Sequence, residues 1–257
     1  MRSALIVIDV GNTATSIGLF ALPASSPNPR PKFVWTLGTK EILKGNYFSK
    51  FLRNKIKSYE IQGGIVSSVV PPVDRALTLQ IRSLFGRDFP FVSNKTPSPV
   101  KVRTDRPSEV GADRIVNARA AMALWQGPAI VIDFGTATTF DCVTAEGVYL
   151  GGVIAPGPVI SAEALYNRTA KLPMVRLDKP ARVLGRNTLD SIRSGLYHGY
   201  RGLVKEITAR LRGEMGPRTR VMATGGQAHW ILKGVNGVDA HVPHLTLLGL
   251  FHMWSDL

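Results

Sequence analysis

Hydrophobic positions recur along this chain in two rhythms, separated by polar stretches rich in proline and glycine. The first rhythm is the short unbroken run. Leu5 to Ile8, Ile17 to Phe20, Phe33 to Leu37, Gly64 to Val70 and Phe89 to Val92 read as strands, several of them apolar enough to be covered on both faces. The second is the helical stripe. Phe48, Phe51, Leu52 and Ile56 recur at helical spacing, and Val73, Leu77, Ile81, Leu84 and Phe85 mark another helix after Pro71-Pro72. Between them, Leu22 to Pro31 is a proline- and serine-rich excursion that predicts an exposed loop. The predicted order is three strands, helix, strand, helix, strand.

A similar order follows. Ile130 to Ile132, Phe140 to Val143 and Val148 to Val153 read as three strands, and Gly151 to Pro158 as a turn into a helix near Ser161 to Arg168. Ile192, Leu196, Tyr200, Leu203, Ile207 and Leu211 line one face of a long helix, with Glu206 and Arg210 as an i,i+4 pair outside it. Val221 to Thr224 is a strand ending in Gly225-Gly226, a turn that lets backbone lie against a flat ring such as adenine. Between the halves, Pro107 and Ser108 supply start signals for a helix with Ile115, Ala118 and Met122 as its stripe. Trp125 to Pro128 then marks a boundary, giving domains 1–127 and 128–257.

The halves are related. A shift of 124 residues (133 minus 9) lays Ala129 to Thr139 on Leu5 to Thr15, with six of eleven positions identical, among them Asp9/Asp133, Gly11/Gly135 and Thr15/Thr139. Each copy is a buried strand ending on an acid, followed by a tight turn with hydroxyl side chains and then a second strand. Such a turn offers N–H and hydroxyl donors to a phosphate, and the carboxylate can hold a hydrated cation. Two copies facing across a cleft would surround one ligand. In the first turn of the intervening helix, Asp113 and Arg114 stand where free N–H groups favour an anion, and Gly111-Ala112 permits close approach.

Composition adjusts this picture modestly. At 257 residues, 44% hydrophobic and 19% charged, the chain suits two soluble globular domains. No apolar run reaches membrane-spanning length, and the opening residues lack a signal-peptide layout. The single cysteine, Cys142, excludes an intrachain disulfide and a multi-cysteine metal site, fits a reducing cytoplasm, and reads as a buried structural thiol. A formal charge of +14 suits anionic ligands such as nucleotides. It is spread over Lys40 to Lys57, Lys179 to Arg186 and Arg201 to Arg220, so most of it reads as solvated surface, and nucleic acid is not the expected partner. There is no G-x-x-x-x-G-K-[ST] loop, no dinucleotide fingerprint after Ile8 and no HExxH.

Five segments in order carry a resemblance: Asp9-Val-Gly-Asn-Thr13, Glu109 to Asn117, Asp133-Phe-Gly-Thr-Ala-Thr138, Gly185-Arg-Asn-Thr188 and Thr224-Gly-Gly226. Together they resemble the type III pantothenate kinases, and Ser67 to Pro71 and Leu245 to Leu250 extend the similarity over nearly the whole chain. The resemblance implies a duplicated ribonuclease-H-like (actin-like ATPase) α/β fold, with two mixed-sheet domains around a central cleft. It implies a cytoplasmic homodimer that phosphorylates pantothenate with ATP, the first step toward coenzyme A. The cofactors implied are Mg²⁺ or another divalent cation with ATP, and a monovalent cation, K⁺ or NH₄⁺.

Carried onto this sequence, the resemblance makes Asp9, Val10, Gly11, Asn12, Thr13, Ala14, Thr15 and Ser16 the ATP phosphate loop, and Thr136 a further ATP contact. Asp133 matches the monovalent-cation ligand. Gly111, Ala112, Asp113 and Arg114 match the pantothenate segment, with Asp113 as proton acceptor. Thr188 matches a substrate contact near the subunit interface. Thr104 takes a substrate-binding position where the family usually has Tyr, Arg106 stands in place of an Asn, and Thr36 in place of an Arg. Two alternatives fit the same fold. One is a nucleic-acid-binding transcriptional accessory protein, suggested by the positive charge. The other is a kinase for another small hydroxy acid.

Overall fold

The computed structural model describes residues 2–233 and 235–257. The chain begins with β1 (Arg2–Val10), β2 (Ala14–Ala21) and β3 (Phe33–Gly38), then a 3-10 helix over Thr39–Leu43, α1 (Tyr47–Arg53), β4 (Tyr59–Ser68) and α2 (Pro71–Phe85). It continues through β5 (Lys101–Val102), a 3-10 turn at Pro107–Glu109, α3 (Ala112–Leu124), β6 (Ala129–Phe134), β7 (Ala137–Val143) and β8 (Val148–Pro156). The remainder is α4 (Pro158–Arg168), α5 (Thr188–Met215), β9 (Arg220–Thr224), α6 (Ala228–Ile231), β10 (Ala240–His241) and α7 (Leu245–Ser255).

These elements form two compact units. One comprises Met1–Leu124, Gly147–Tyr149 and His244–Leu257; the other comprises Trp125–Glu146 and Leu150–Pro243. The first unit is built on a sheet of order β3-β2-β1-β4, with β1 antiparallel to β2 and parallel to β4. Leu5, Ile6, Val7 and Ile8 are all fully buried, each contributing about 1.5–3 kcal/mol of hydrophobic stabilisation. Strand alternation sends Ile6, Ile8 and Val10 toward α1 and α2, where they meet Phe48, Leu52, Leu77 and Ile81. Leu5 and Val7 point to the opposite face, against Ala112, Ile115 and Val116 of α3 and Leu247, Leu250 and Phe251 of α7. Both faces of β1 are therefore covered, which is why it reads as an unbroken apolar run.

The second unit repeats the plan with the order β10-β9-β6-β7-β8, in which β6 is antiparallel to β7 and parallel to β9. Its core joins Ile130, Ile132 and Phe140 to Ile192, Leu196 and Val204 of α5. Cys142 is buried and in no disulfide, as its position predicted. The Glu206–Arg210 pair forms on the exposed side of α5, with 2.8 Å between Arg210 Nε and Glu206 Oε1.

Several local expectations need correction. Phe89 to Val92 does not form a strand but a single parallel bridge, Val66 to Phe91. Pro90 has no N–H to extend a ladder, so pairing stops at Val66 N to Pro90 O (2.9 Å) and Val92 N to Val66 O (2.8 Å). Pro107 and Ser108 open only a 3-10 turn. The helix proper starts at Ala112, because Val110 is extended (φ −74°, ψ 121°) and breaks the run. Gly151 to Pro156 stays inside β8, and the turn before α4 contracts to Gly157. The loop at 22–31 is anchored by Asn28. Its Nδ2 donates to Ala123 O at the end of α3 (3.3 Å), and its Oδ1 lies 3.0 Å from His252 Nε2 on α7.

Candidate active site

The site begins where β1 ends. Asp9 is half-buried, and its strand partners are Ser16 on β2 and Ser67 on β4. Because paired residues share a face, Ser16, Asp9 and Ser67 form a row across three strands, on the side covered by α3 and α7. The turn after Asp9 is closed by Gly11 N donating to Ala14 O (3.1 Å) and is braced from outside by Thr39, which sequence reasoning passed over. Thr39 Oγ1 donates to Gly11 O (2.6 Å), Thr39 N donates to Thr13 O (3.1 Å), and Thr39 Oγ1 lies 3.0 Å from Thr15 Oγ1. Asn12, Thr13 and Ala14 are left exposed at the tip, whereas Val10 and Thr15 point inward and are fully buried. The tip has the geometry of a loop that meets a phosphate with its backbone, stiffened by one buried threonine.

On the same face stands the N-terminus of α3. A β-carbon at Gly111 would lie 2.5 Å from Asp113 Oδ1, so a side chain there would displace the Asp113 carboxylate, while Val69 Cγ1 at 3.5 Å is in ordinary contact. Asp113 Oδ1 accepts from Arg114 N (2.9 Å), which fixes the carboxylate over the first turn of a 13-residue helix. The helix dipole makes that turn attractive to an anion. Ala112 is buried against the sheet and holds the turn in place.

Arg114 is directed by a residue that the motif reading missed. Its guanidinium lies over the ring of Tyr149, 5.6 Å from the centroid, and Tyr149 is fully buried. Arg103 N donates to Tyr149 O (2.9 Å), one residue before Thr104. Thr104 Oγ1 is buried and finds no hydrogen-bond partner among the described residues. The signal for Tyr149 was weak, an aromatic at the start of a predicted strand with nothing to link it to Arg114. Arg106 pairs with Glu109 at 3.0 Å on the surface.

In the second unit, Asp133 is flanked in the same manner, by Thr139 on β7 and Thr224 on β9. The duplication thus includes the hydroxyl neighbours on both sides of each acid. It also shows a register difference: Val10 pairs with Thr15, but Phe134 pairs with Thr138. The second turn is one residue shorter, so Thr138, not Thr139, is the spatial counterpart of Thr15. Thr136 O accepts from Gly157 N at 3.0 Å. Gly225, at φ +94°, presses on this turn: a β-carbon there would lie 2.5 Å from Phe134 N and 2.6 Å from Asp133 Oδ1. Thr188 is exposed as the first residue of α5, whose cap is Asn187 Oδ1 accepting from Asp190 N (2.9 Å).

The donor set suits a hard cation that arrives with its own ligands. No group of three or more His, Cys, Asp or Glu that could hold a metal ion occurs among the described residues. Asp9 offers carboxylate oxygens beside serine hydroxyls. That set fits Mg²⁺, which keeps several waters and relies on substrate phosphates.

Comparison with known proteins places these features. Residues 5–210 match the family model described as type III pantothenate kinase. A type III pantothenate kinase of Koribacter versatilis is 45% identical over 260 residues, covering 98% of this chain and 95% of the relative. One from Dehalococcoides mccartyi is 41% identical over 255 residues, covering 97% and 96%. Among solved structures, the ethanolamine utilization protein EutJ from Carboxydothermus hydrogenoformans superposes with a TM-score of 0.56 at 13% identity, covering 96% of this chain and 88% of that one. An inorganic polyphosphate/ATP-glucomannokinase from Arthrobacter sp. strain KM superposes with a TM-score of 0.50 at 12% identity, covering both chains fully. These two support the fold alone, the duplicated α/β architecture of actin-like ATPases. With a family model spanning most of its length and relatives above 40% identity along nearly all of it, the chain belongs to the type III pantothenate kinase family.

Proposed function

We propose that this chain transfers the γ-phosphoryl group of ATP to the primary hydroxyl of pantothenate, giving 4'-phosphopantothenate for coenzyme A synthesis. One observation carries this reading. Asp9, at the end of β1, and Asp113, on the first turn of α3, lie on one face of the first sheet. That arrangement sets a nucleotide-side carboxylate near an acceptor-side carboxylate. Phosphoryl transfer needs alignment and charge neutralisation more than covalent chemistry. Asp113 accepts the proton of the attacking hydroxyl. Arg114, steadied by Tyr149, binds the carboxylate of the acceptor, and Thr104 Oγ1 supplies a buried hydroxyl beside it. The exposed tip from Asn12 to Ala14 and the hydroxyl of Ser16 take the phosphates. Asp9 holds the divalent cation, which supplies charge neutralisation when bound.

The second unit serves the same reaction. Thr136 contacts ATP, and Gly225-Gly226 leaves a smooth surface for the adenine. Asp133 takes a monovalent cation, K⁺ or NH₄⁺. Thr188 contacts pantothenate across a homodimer interface. The exposed Leu150, Ile154, Val159, Ile160, Tyr166 and Leu184 support such an interface, because solvent-facing residues of this size in one unit favour burial by a second copy. The boundary proposed at 127/128 divides the chain in sequence, while α7, which lies beyond it, packs with the first unit. Among the described residues no helix is long and apolar enough to cross a membrane, and a cytoplasmic location suits a thiol-reduced biosynthetic enzyme.

The test is ADP release from ATP and Mg²⁺, with and without pantothenate, in potassium and in sodium buffer. Pantothenate-dependent release in potassium is expected, and its absence would overturn the acceptor assignment.

A further inference from the structure

Ser67 has no role in the site as the motifs define it, yet its position is unusual. It is fully buried, and its Oγ finds no hydrogen-bond partner among the described residues. A buried hydroxyl without a partner loses its hydration and gains nothing in return, so a fold that keeps one has a use for it or suffers its cost. Alanine would remove that cost without leaving a sizeable cavity. The neighbouring serine behaves in the ordinary way: Ser68 Oγ donates to Asp74 Oδ1 (2.5 Å) and accepts from Val70 N (3.1 Å) at the start of α2.

Register gives Ser67 its direction. It is the β4 partner of Asp9, and it shares the face of Ile65, Leu5 and Val7. Two residues further on, Val69 reaches the Gly111 turn, so Ser67 stands between the acid of β1 and the first turn of α3. The second unit repeats the arrangement, with Thr224 as the β9 partner of Asp133. A hydroxyl beside each acid, on the parallel neighbour strand, has been kept in both copies of the duplicated motif.

We propose that Ser67 is a positioning residue for the hydrated divalent cation that accompanies the nucleotide. Its Oγ accepts a hydrogen bond from a water of the cation's shell while Asp9 supplies the charge. Mg²⁺ retains several waters whose polarised hydrogens require fixed acceptors, and a buried hydroxyl with a spare lone pair is one. Ser67 thereby sets where the cation sits relative to Asp113. This inference rests on the assignment of Asp9 to the nucleotide's cation, and is independent of which alcohol accepts the phosphate.

The experiment is titration calorimetry of Mn²⁺·ATP in the absence of pantothenate, on wild type, Ser67→Ala and Ser67→Thr, with thermal denaturation of each unliganded protein. Ser67→Ala should weaken Mn²⁺·ATP binding by about tenfold or more while leaving the unliganded melting temperature equal or higher. Ser67→Thr, which keeps the hydroxyl, should restore most of the affinity. Equal affinity in wild type and Ser67→Ala would overturn the proposal, as would a loss in Ser67→Ala matched by a fall in unliganded stability. If Ser67→Ala fails to fold, Ser67→Thr against Ser67→Cys decides, since the thiol is a poor acceptor; equal binding by the two would also overturn it. Wild type that binds Mn²⁺·ATP but releases no ADP with pantothenate would overturn the acceptor assignment and leave Ser67 standing. Wild type that binds no Mn²⁺·ATP would overturn both.

Discussion

Arg114 rests on Tyr149, its guanidinium carbon 5.6 Å from the centre of a ring that no solvent reaches. A planar cation stacked in this way has little rotamer freedom left, so its fork of donors is aimed before any ligand arrives. Asp113, one residue earlier, is fixed differently, by accepting the Arg114 amide.

The two neighbours should therefore fail in different ways. Asp113→Asn keeps the shape and removes the proposed base, so kcat should fall by about a hundredfold or more with KM for pantothenate within a few-fold of wild type. Arg114→Lys keeps the charge and loses the planar fork, so KM for pantothenate should rise by about tenfold or more. Steady-state kinetics separate the two, and a shared kcat defect would argue against an acceptor-binding role for Arg114.

Thr39 should matter to the nucleotide although it lies outside the motif. Thr39→Val removes the donor to Gly11 O and leaves Thr15 Oγ1 buried without its partner. About 1–3 kcal/mol of stability should be lost, seen as a lower urea midpoint. KM for ATP should rise more than KM for pantothenate if the loosened turn is the phosphate loop proposed above.

Gly225 tolerates no side chain. At φ +94°, with Phe134 N 2.5 Å from a would-be β-carbon, Gly225→Ala meets backbone on one side and the Asp133 carboxylate on the other. Destabilisation by at least about 2 kcal/mol is expected in chemical denaturation. Gly226→Ala is a fitting control, since nothing lies within 4 Å of its would-be β-carbon.

His252 gives stability a pH dependence. Burial, and secondarily the positive charge of Arg119, outweigh the pull of Asp256 and lower its pKa to about 4 from the usual 6.5. The folded state thus keeps His252 neutral where the unfolded chain has already taken up a proton. Stability is fully present above pH 6.5 and declines as the pH falls toward 4, by up to about 3 kcal/mol. Urea midpoints between pH 7.5 and 4.5 should drop more steeply for wild type than for His252→Gln; parallel slopes would exclude His252 as the source.

What the sequence made legible follows from what each element answers to. β1 and β6 carry their burial in their own residues, so the two acid-tipped strands, their turns and the duplication were readable directly. The Gly111 to Arg114 segment was readable as a motif, but its helix was placed too early. Pro107 and Ser108 are genuine start signals for a turn, and nothing local shows that Val110 interrupts it. Thr39, Tyr149 and Ser67 escaped notice because their roles depend on pairing register and on contacts far apart in the chain. The repeat alignment also ran past its limit: sequence identity joined Thr15 to Thr139, whereas strand pairing joins Thr15 to Thr138.

The closing helix has a consequence for how the protein is made. α7 contributes Leu247, Leu250, Phe251 and Met253 to the core that also contains Leu5 and Val7. The core around β1 therefore waits for α7. During synthesis the second unit has all its strands before the first can be completed, and a nascent chain stalled before Leu245 would have only α3 over Leu5 and Val7. Order of emergence and order of completion are therefore reversed for these two units.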